Sequence, residues 1–321
     1  MDNQNNKPLV SIAIPVYNHE RYIVKAIESV LMQKTDFEFE IVVGDDYSSD
    51  TTRKLLLDLK EKYSDKITLI LSDKNNGVNN NARNIFHNCQ GKYIAMLEGD
   101  DYWVFENKLQ MQIDFLEQNE DYVGCFHDAI ISTECEENNN QQNQSYCGYR
   151  AYSQINKYYK DFHSWDIIER NIIPTASLVF RNKMNIPDFF IKFADITLSL
   201  TWAFQIFIIG DGKFRYFNEA WSVYNDHPHG VSKTESLNSF KLSNIKVLKR
   251  FAKEKHLKYM RNSIFRTITS EYRQILVNPN IILAKKSYFF KILAFYFYYY
   301  FVTFRFEFKN IFDYRKNLKL N

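Results

Sequence analysis

Short runs of continuously apolar residues alternate along the first hundred positions with longer stretches whose apolar residues recur every three or four places. Leu9 to Val16 is one such run, with the length of a buried strand, and Arg21 to Gln33 carries Ile23, Ala26, Ile27, Val30 and Leu31 at the spacing of one helix face. The pattern then repeats. Phe39 to Val43 predicts a second strand, Thr51 to Tyr63 a helix with Ser49 and Asp50 as candidate caps, and Ile67 to Leu71 a third strand. Asn80 to Asn88 predicts another helix and Tyr93 to Leu97 a fourth strand. Strands and helices in this alternation predict a parallel, doubly wound sheet. Sheets of that kind bind ligands beyond the carboxyl ends of their strands. The polar residues fall there: Tyr17 and Asn18 after the first strand, Asp45 and Asp46 after the second, Asp100 and Asp101 after the fourth.

The pattern loosens further along. Glu134 to Ser145 is a polar, low-complexity stretch, expected to be a solvated loop without a catalytic role. Ile172 to Phe180 reads as a strand, Asp195 through Ile209 predicts a strongly apolar helix with Asp195 as a candidate cap, Gly210-Asp211-Gly212 is a turn, and Phe214 to Val223 predicts a further strand. Trp202 and Trp221 lie on apolar periodic elements and are expected in the core. From Asn238 the pattern is helical and increasingly basic, and it ends in an aromatic tail.

Composition narrows the class. The 321 residues, 45% hydrophobic and 25% charged, exclude a small disulfide scaffold, wholesale disorder and a polytopic membrane protein. A net charge of +3 lacks the basic excess of a nucleic-acid binder, so no nucleic-acid partner is expected. Cys89, Cys125, Cys135 and Cys147 are too widely spaced for a Cys-x-x-Cys motif and read as reduced thiols. The polar N-terminus lacks the apolar core of a secretory signal, which makes the cytoplasm the expected location. The small net charge is an average. Residues 285–321 hold eight Lys or Arg against two acids, a local net of +6, so the rest of the chain carries −3. Between Tyr288 and Tyr314 stand 15 aromatic residues. The uninterrupted apolar run, Ile292 to Phe304, is shorter than the ~20 residues needed to span hydrocarbon. Residues 285–321 are therefore expected to lie against the inner face of the membrane as a peripheral, in-plane contact. Packing on the body or on a twin subunit, as a homodimer, is the competing expectation.

Two carboxylate pairs at strand ends suit a divalent cation that bridges to a polyanion, because Mg²⁺ or Mn²⁺ takes one or two protein carboxylates and fills its shell with phosphate oxygens and water. Either pair alone is equally well explained by turn and cap chemistry. Neither a Gly-x-Gly-x-x-Gly fingerprint nor a Walker-type loop is present, which removes support for a dinucleotide oxidoreductase and a P-loop protein.

Four ordered blocks then carry a family resemblance: Val10 to Asn18, Ile41 to Thr51, Asn76-Gly77 with Asn81 to Asn84, and Gly91 to Asp101. The chain resembles the family 2 glycosyltransferases of the GT-A fold over residues 8–130, and more weakly to about residue 232. The resemblance implies a GT-A-like, doubly wound, mostly parallel sheet flanked by helices, with a helical, aromatic-rich C-terminal extension. Its domain would occupy 1–235, with a nucleotide-binding half at about 8–130 and an acceptor half at about 146–235, and the extension would occupy 236–321. Pro15, Val16, Tyr17 and Asn18 would line the nucleotide pocket, Asp46 would bond the base edge, and Arg83 would lie near the base or pyrophosphate. The family's Asp-x-Asp block appears as Glu98-Gly99-Asp100-Asp101, with Glu98 at the ribose position and Asp100 and Asp101 as metal and diphosphate residues. His227 matches a histidine near the diphosphate or metal, and Mn²⁺ or Mg²⁺ is the implied cofactor. Asp195 is the implied general base, with Asp188 as the fallback. The implied reaction is metal-dependent, inverting transfer from a nucleotide-sugar donor, a UDP-sugar foremost, to a glycan or lipid-linked acceptor in cell-surface polysaccharide synthesis. A non-catalytic nucleotide-sugar or glycan-binding module, favoured by Glu98, and a metal-dependent nucleotidyltransferase are the alternatives.

Overall fold

The computed structural model describes residues 7–134, 146–152, 160–182, 186–228, 230, 236–277 and 286–318. Its first hundred residues follow the periodicity closely: β1 (Val10–Val16), α1 (Ile23–Leu31), β2 (Phe39–Asp45), α2 (Thr52–Lys62), β3 (Ile67–Leu71), α3 (Val78–Asn88) and β4 (Tyr93–Met96). After them come β5 (Tyr102–Trp103), α4 (Lys108–Gln118), β6 (Tyr122–Glu134), β7 (Tyr146–Ala151), β8 (Asp161–His163), α5 (Ser164–Glu169), β9 (Val179–Arg181), α6 (Ile186–Phe193), α7 (Leu200–Ile209) and β10 (Lys213–Asp226). Three more helices follow, α8 (Leu237–Phe251), α9 (Arg261–Leu276) and α10 (Lys286–Leu318). The chain divides into two compact units. One comprises Met1–His163, Ile172–Asp195 and Phe207–Lys233, and the other Ser164–Asn171, Ile196–Ile206 and Thr234–Asn321.

The first unit is built on one sheet of order β3-β2-β1-β4-β9-β6-β10-β5, with β7 paired to β6 and β8 to β10. Strands β3, β2, β1 and β4 are mutually parallel, β9 runs antiparallel to both β4 and β6, and β10 runs parallel to β6. The expected doubly wound α/β architecture is borne out, with its parallel character concentrated in the first four strands. Nearly all of β1 is buried, which is why its sequence is a continuous apolar run rather than an alternation. Ile23, Ala26, Ile27 and Val30 of α1 join Ile12, Ile14, Ile41 and Val43 of the sheet in the main core. The chain moves outward from β1 to β2 and β3, then returns to place β4 on the other side of β1. That reversal opens a crevice at the carboxyl ends of β1 and β4.

Several expectations need correction. The strand foreseen over Ile172 to Phe180 is largely replaced by a 3₁₀ turn at Thr175–Ser177, and only Val179–Arg181 pairs with the sheet. The apolar helix begins at Leu200; Asp195 sits on a separate 3₁₀ turn, Ala194–Ile196, and does not cap that helix. Ser49 does not cap α2 either, since its N–H and hydroxyl both reach Asn18 Oδ1. Asp50 does accept from Thr52 N (3.0 Å), and Glu20 takes the N–H of Thr51 (2.9 Å). Of the expected polar loop, residues 135–145 lie outside the described residues.

The second unit is helical. Ser236 Oγ caps α8 by accepting from Ser239 N (3.1 Å), and Ile245, Leu248, Phe251, Ile264, Ile268 and Ile275 are buried. Trp202 is buried as expected, and its Nε1 donates to Ile167 O (2.7 Å). Among the described residues, no helix is long and apolar enough to cross a membrane.

Candidate functional site

The loops beyond β1 and β2 are locked to each other. Asn18 adopts a left-handed backbone (φ 56°), which its short amide side chain tolerates, and its N–H donates to Ser48 Oγ (2.9 Å) while its Oδ1 accepts from Ser49 N (2.8 Å). Tyr47 is also left-handed (φ 65°), a strained backbone for a bulky residue and one the sequence does not announce. Asp45 is wholly buried, accepts from Ser48 N and Oγ, and pairs with Arg53 Nε at 2.6 Å. Asp46 is buried as well; its two oxygens take the N–H groups of Asn76 and Gly77, each at 2.8 Å. Gly77 has φ 83°, so the bend that offers those N–H groups belongs to glycine. Pro15 and Val16 act through their carbonyls, which accept from Gly99 N (3.2 Å) and Asp46 N (3.0 Å) and so join the end of β1 to both neighbouring loops. Tyr17 and Arg83 are exposed.

Across the crevice stands the acidic turn Glu98 to Asp101. Pairing of β5 with β10, Trp103 opposite Ser222 and Tyr102 opposite Val223, carries the end of β10 to this turn. Asn225 N donates to Asp101 Oδ1 (3.0 Å), Asn225 Nδ2 donates to Asp100 O, and His227 Nε2 lies 3.1 Å from Asp100 Oδ2. His19 approaches the same oxygen at 3.7 Å, and the Tyr22 ring stacks on His227 with centroids 5.0 Å apart. A Cβ on Gly99 would fall 2.7 Å from His19 Nδ1, so that glycine is what admits the imidazole.

These neighbours split the three carboxyls. Burial raises the pKa of Glu98 to about 8, helped by the charge of Asp100 and opposed by a hydrogen bond with Thr175. Burial also holds the Asp101 carboxyl well above its ordinary range, with the charges of Asp100 and Glu98 adding to the effect. Asp100 is pushed up by burial too, but its bond with His227 and the nearby His19 and His227 charges outweigh that, and its pKa is lowered. His19 is lowered, chiefly by burial and against the pull of Asp100. Tyr152 is raised to about 12 by burial and by the charges of Glu98 and Asp101, which places it in the field of the same cluster.

Asp100 and His227 offer a divalent ion one carboxylate oxygen and one imidazole nitrogen. Two ligands in adjacent octahedral positions at ~2.0–2.1 Å from Mg²⁺ lie about 3 Å apart, and Asp100 Oδ2 and His227 Nε2 are 3.1 Å apart. Among the described residues no group of three or more His, Cys, Asp or Glu side chains is arranged to hold an ion unaided.

Sequence-derived residues thus gather in part. Asp100, Asp101 and His227 come together, Glu98 shares their turn, and Asp46 and Asn18 bind the facing loops. Asp195 is exposed on its 3₁₀ turn, and no described hydrogen bond or ion pair links it to the acidic cluster. Asp188 belongs to α6. His19, Tyr22, Asn225 and Arg53 were missed. His19 directly follows Asn18, and Asn225 stands two residues before His227, so adjacency to a chosen residue was the available signal for both. Cys89 and Cys125 are buried and free, and burial raises both thiols to about 12, in keeping with inert, reduced cysteines.

Comparison with known proteins gives a consistent picture. The sequence pattern of the family described as Glycosyl transferase family 2 matches residues 11–185. An uncharacterized protein of Mycobacterium tuberculosis is 26% identical over 222 residues, 69% of this chain and 60% of that protein. TuaG of Bacillus subtilis, provisionally named a teichuronic acid biosynthesis glycosyltransferase, is 36% identical over 112 residues, 35% of this chain and 43% of TuaG. The chain therefore spans less than two thirds of these relatives. Among solved structures, S. aureus TarS 1-349 in complex with UDP superposes with a TM-score of 0.57 at 14% identity, covering 87% of this chain and 76% of TarS 1-349. At that identity the likeness is one of fold.

Proposed function

The chain belongs to glycosyl transferase family 2, and from that premise we propose that it is a divalent-metal-dependent, inverting glycosyltransferase. Its donor is a nucleoside diphosphate sugar, a UDP-sugar foremost, and its acceptor is a hydroxyl of a glycan or lipid-linked glycan of the cell surface. The observation that carries this reading is the meeting of Asp100, Asp101 and His227 in the crevice where the sheet reverses direction. Solved complexes of TarS with UDP and with UDP-GlcNAc support the choice of a uridine nucleotide. The name of TuaG supports the choice of a surface glycan.

Asp100 and His227 would hold Mn²⁺ or Mg²⁺, and the bound ion supplies charge neutralisation for the departing diphosphate. Asp101 braces this pair from behind through Asn225. Pro15, Val16, Tyr17 and Asn18 border the nucleotide, Asp46 anchors the loop on the base side and accepts from the base edge, and Arg83 serves the pyrophosphate. Glu98 occupies the ribose position, where a carboxyl that keeps its proton near neutral pH can donate as well as accept. Asp195 takes the proton of the acceptor hydroxyl. The acceptor oxygen bonds the anomeric carbon as the carbon–oxygen bond to the diphosphate breaks on the opposite side, so configuration inverts in one displacement.

The test is incubation of the full chain with Mn²⁺, a panel of nucleotide sugars and glycan acceptors, followed by product analysis. Release of nucleoside diphosphate with glycoside formation is expected. Pyrophosphate as product would replace this reading with a nucleotidyltransferase, and calorimetric binding without turnover would leave a nucleotide-sugar-binding module.

A further inference from the structure

Helix α10 is apolar on two opposite faces, and the second unit covers only one of them. At 100° per residue, Ile292, Phe295, Tyr299 and Thr303 line one side. This side meets α9: Tyr272 stacks on Phe295 and Tyr299 (5.8 and 6.0 Å), Phe265 meets Tyr299 (6.0 Å), and Thr269 Oγ1 lies 3.2 Å from Thr303 Oγ1. Lys249 of α8 closes the contact over the Phe295 ring at 4.7 Å. Phe290, Phe297, Phe301 and Phe304 project from the opposite side, 63, 49, 65 and 56% exposed, with Tyr298 beside them at 61%. At roughly 200 Å² per aromatic side chain, these five present on the order of 600 Å² of ring surface, at the upper limit of what a soluble monomer leaves in water. A helix with a second, uncovered apolar face calls for a second partner.

We propose that this face docks on an anionic lipid bilayer surface, with α10 lying in the plane of the interface. Charge selects that occupant. From residue 285 to residue 306 the sequence has Lys285, Lys286, Lys291 and Arg305 and no acid. Lys291 and Arg305 are exposed at either end of the aromatic row. Basic residues that bracket Phe and Tyr rings match headgroup phosphates above an acyl boundary. Pairing with a second copy through the same face would set like charges against each other, because the surface repeats itself across a twofold axis. The helix is not a membrane span, as its apolar rows are interrupted by Lys291 and Arg305. This inference is independent of the catalytic reading, since its probe is lipid alone.

The test is flotation of the full chain with vesicles of phosphatidylcholine, with and without 30% phosphatidylglycerol, at low and high salt. Co-flotation is expected with the anionic vesicles at low salt, weakened several-fold by salt or by omission of the anionic lipid. The paired substitution Phe297→Glu and Phe301→Glu should abolish it while the circular dichroism spectrum and melting temperature stay unchanged, because both rings are solvent-facing. The paired Lys291→Glu and Arg305→Glu change should remove the preference for anionic over neutral vesicles. Failure to float with anionic vesicles, or flotation indifferent to both pairs of substitutions, would overturn the proposal. So would a concentration-dependent dimer, seen by light scattering, that the double phenylalanine variant breaks.

Discussion

Two aspartate doublets stand at strand ends of the same sheet, and in sequence they look alike. In the fold they are opposites. Asp45 and Asp46 are consumed by their own surroundings: one is paired with Arg53 and Ser48, the other accepts the N–H groups of Asn76 and Gly77. Asp100 and Asp101 share a buried acidic cluster: His227 and His19 lower Asp100, while burial and the charges of Asp100 and Glu98 hold Asp101 well above its ordinary range. A carboxylate that is fully satisfied stabilises a loop. One that is buried with like charges stores a preference for a cation, and that is the property a diphosphate site requires.

The largest expected effect breaks the second doublet. Asp100→Ala should lower transfer by roughly 10³-fold, about 4 kcal/mol of transition-state stabilisation, with a modest fall in melting temperature because the bond to His227 is lost. Full retention of transfer would show that Asp100 is a structural residue like Asp45. Next in size is Asp45→Asn, which removes the charge that faces the Arg53 guanidinium. A cost of about 2 kcal/mol is expected in urea unfolding, less than for a fully buried pair because the Arg53 side chain is partly exposed and keeps its bond to Ser72 O. The folded fraction should keep its turnover within a few-fold, and equal losses in activity for the two variants would erase the distinction between the doublets.

The first four strands and three helices were legible because each buries a continuous run or a single helix face, and such patterns survive without tertiary help. The 3₁₀ turn at Thr175–Ser177 was not, since Ile172 to Phe180 is as apolar as a strand, yet Ser177 Oγ turns back to Pro174 O (2.7 Å) and bends the chain. The start of α7 was misplaced for a related reason: Leu198 N donates to Ser243 Oγ, a partner 45 residues away that local periodicity does not encode. At the site, doublets and motif blocks were visible but their partners were not. Nothing in the run Asn225-Asp226-His227 says that Tyr102 and Trp103 will pair with β10 and bring it to Asp100. The contrast between the doublets was hidden for the same reason, because Arg53, Asn76 and Gly77 reach the first pair through folding.

A smaller effect separates the members of the first doublet. Asp46→Asn retains one acceptor oxygen and loses the other, so either Asn76 N loses its acceptor or Gly77 N is left with Asn75 Oδ1 alone, at a cost of about 1 kcal/mol. If Asp46 also meets the base of the donor, the donor KM should rise about tenfold while kcat stays within twofold, the pattern of lost uniform binding. A KM that does not move would assign Asp46 to loop anchoring alone and widen the gap between the doublets.

The smallest effect is the most diagnostic, because its sign is opposite. Glu98 is raised to about 8 in the folded protein, against about 4.3 for an unperturbed glutamate. Between those values the folded state keeps a proton that the unfolded state has released. The folded state therefore binds more protons, and stability falls as pH rises through this window. Glutamine has no proton to lose, so Glu98→Gln should be close to neutral at pH 5 and stabilising at pH 8. The gain should be on the order of 1 kcal/mol, well under the full linkage because Glu98 as a residue is only partly buried. Paired urea titrations at the two pH values measure it. Removing a charge from the first doublet costs stability and removing one beside the second returns it; a Glu98→Gln variant that lost stability at pH 8 would show that both carboxylate groups are built for the same structural task.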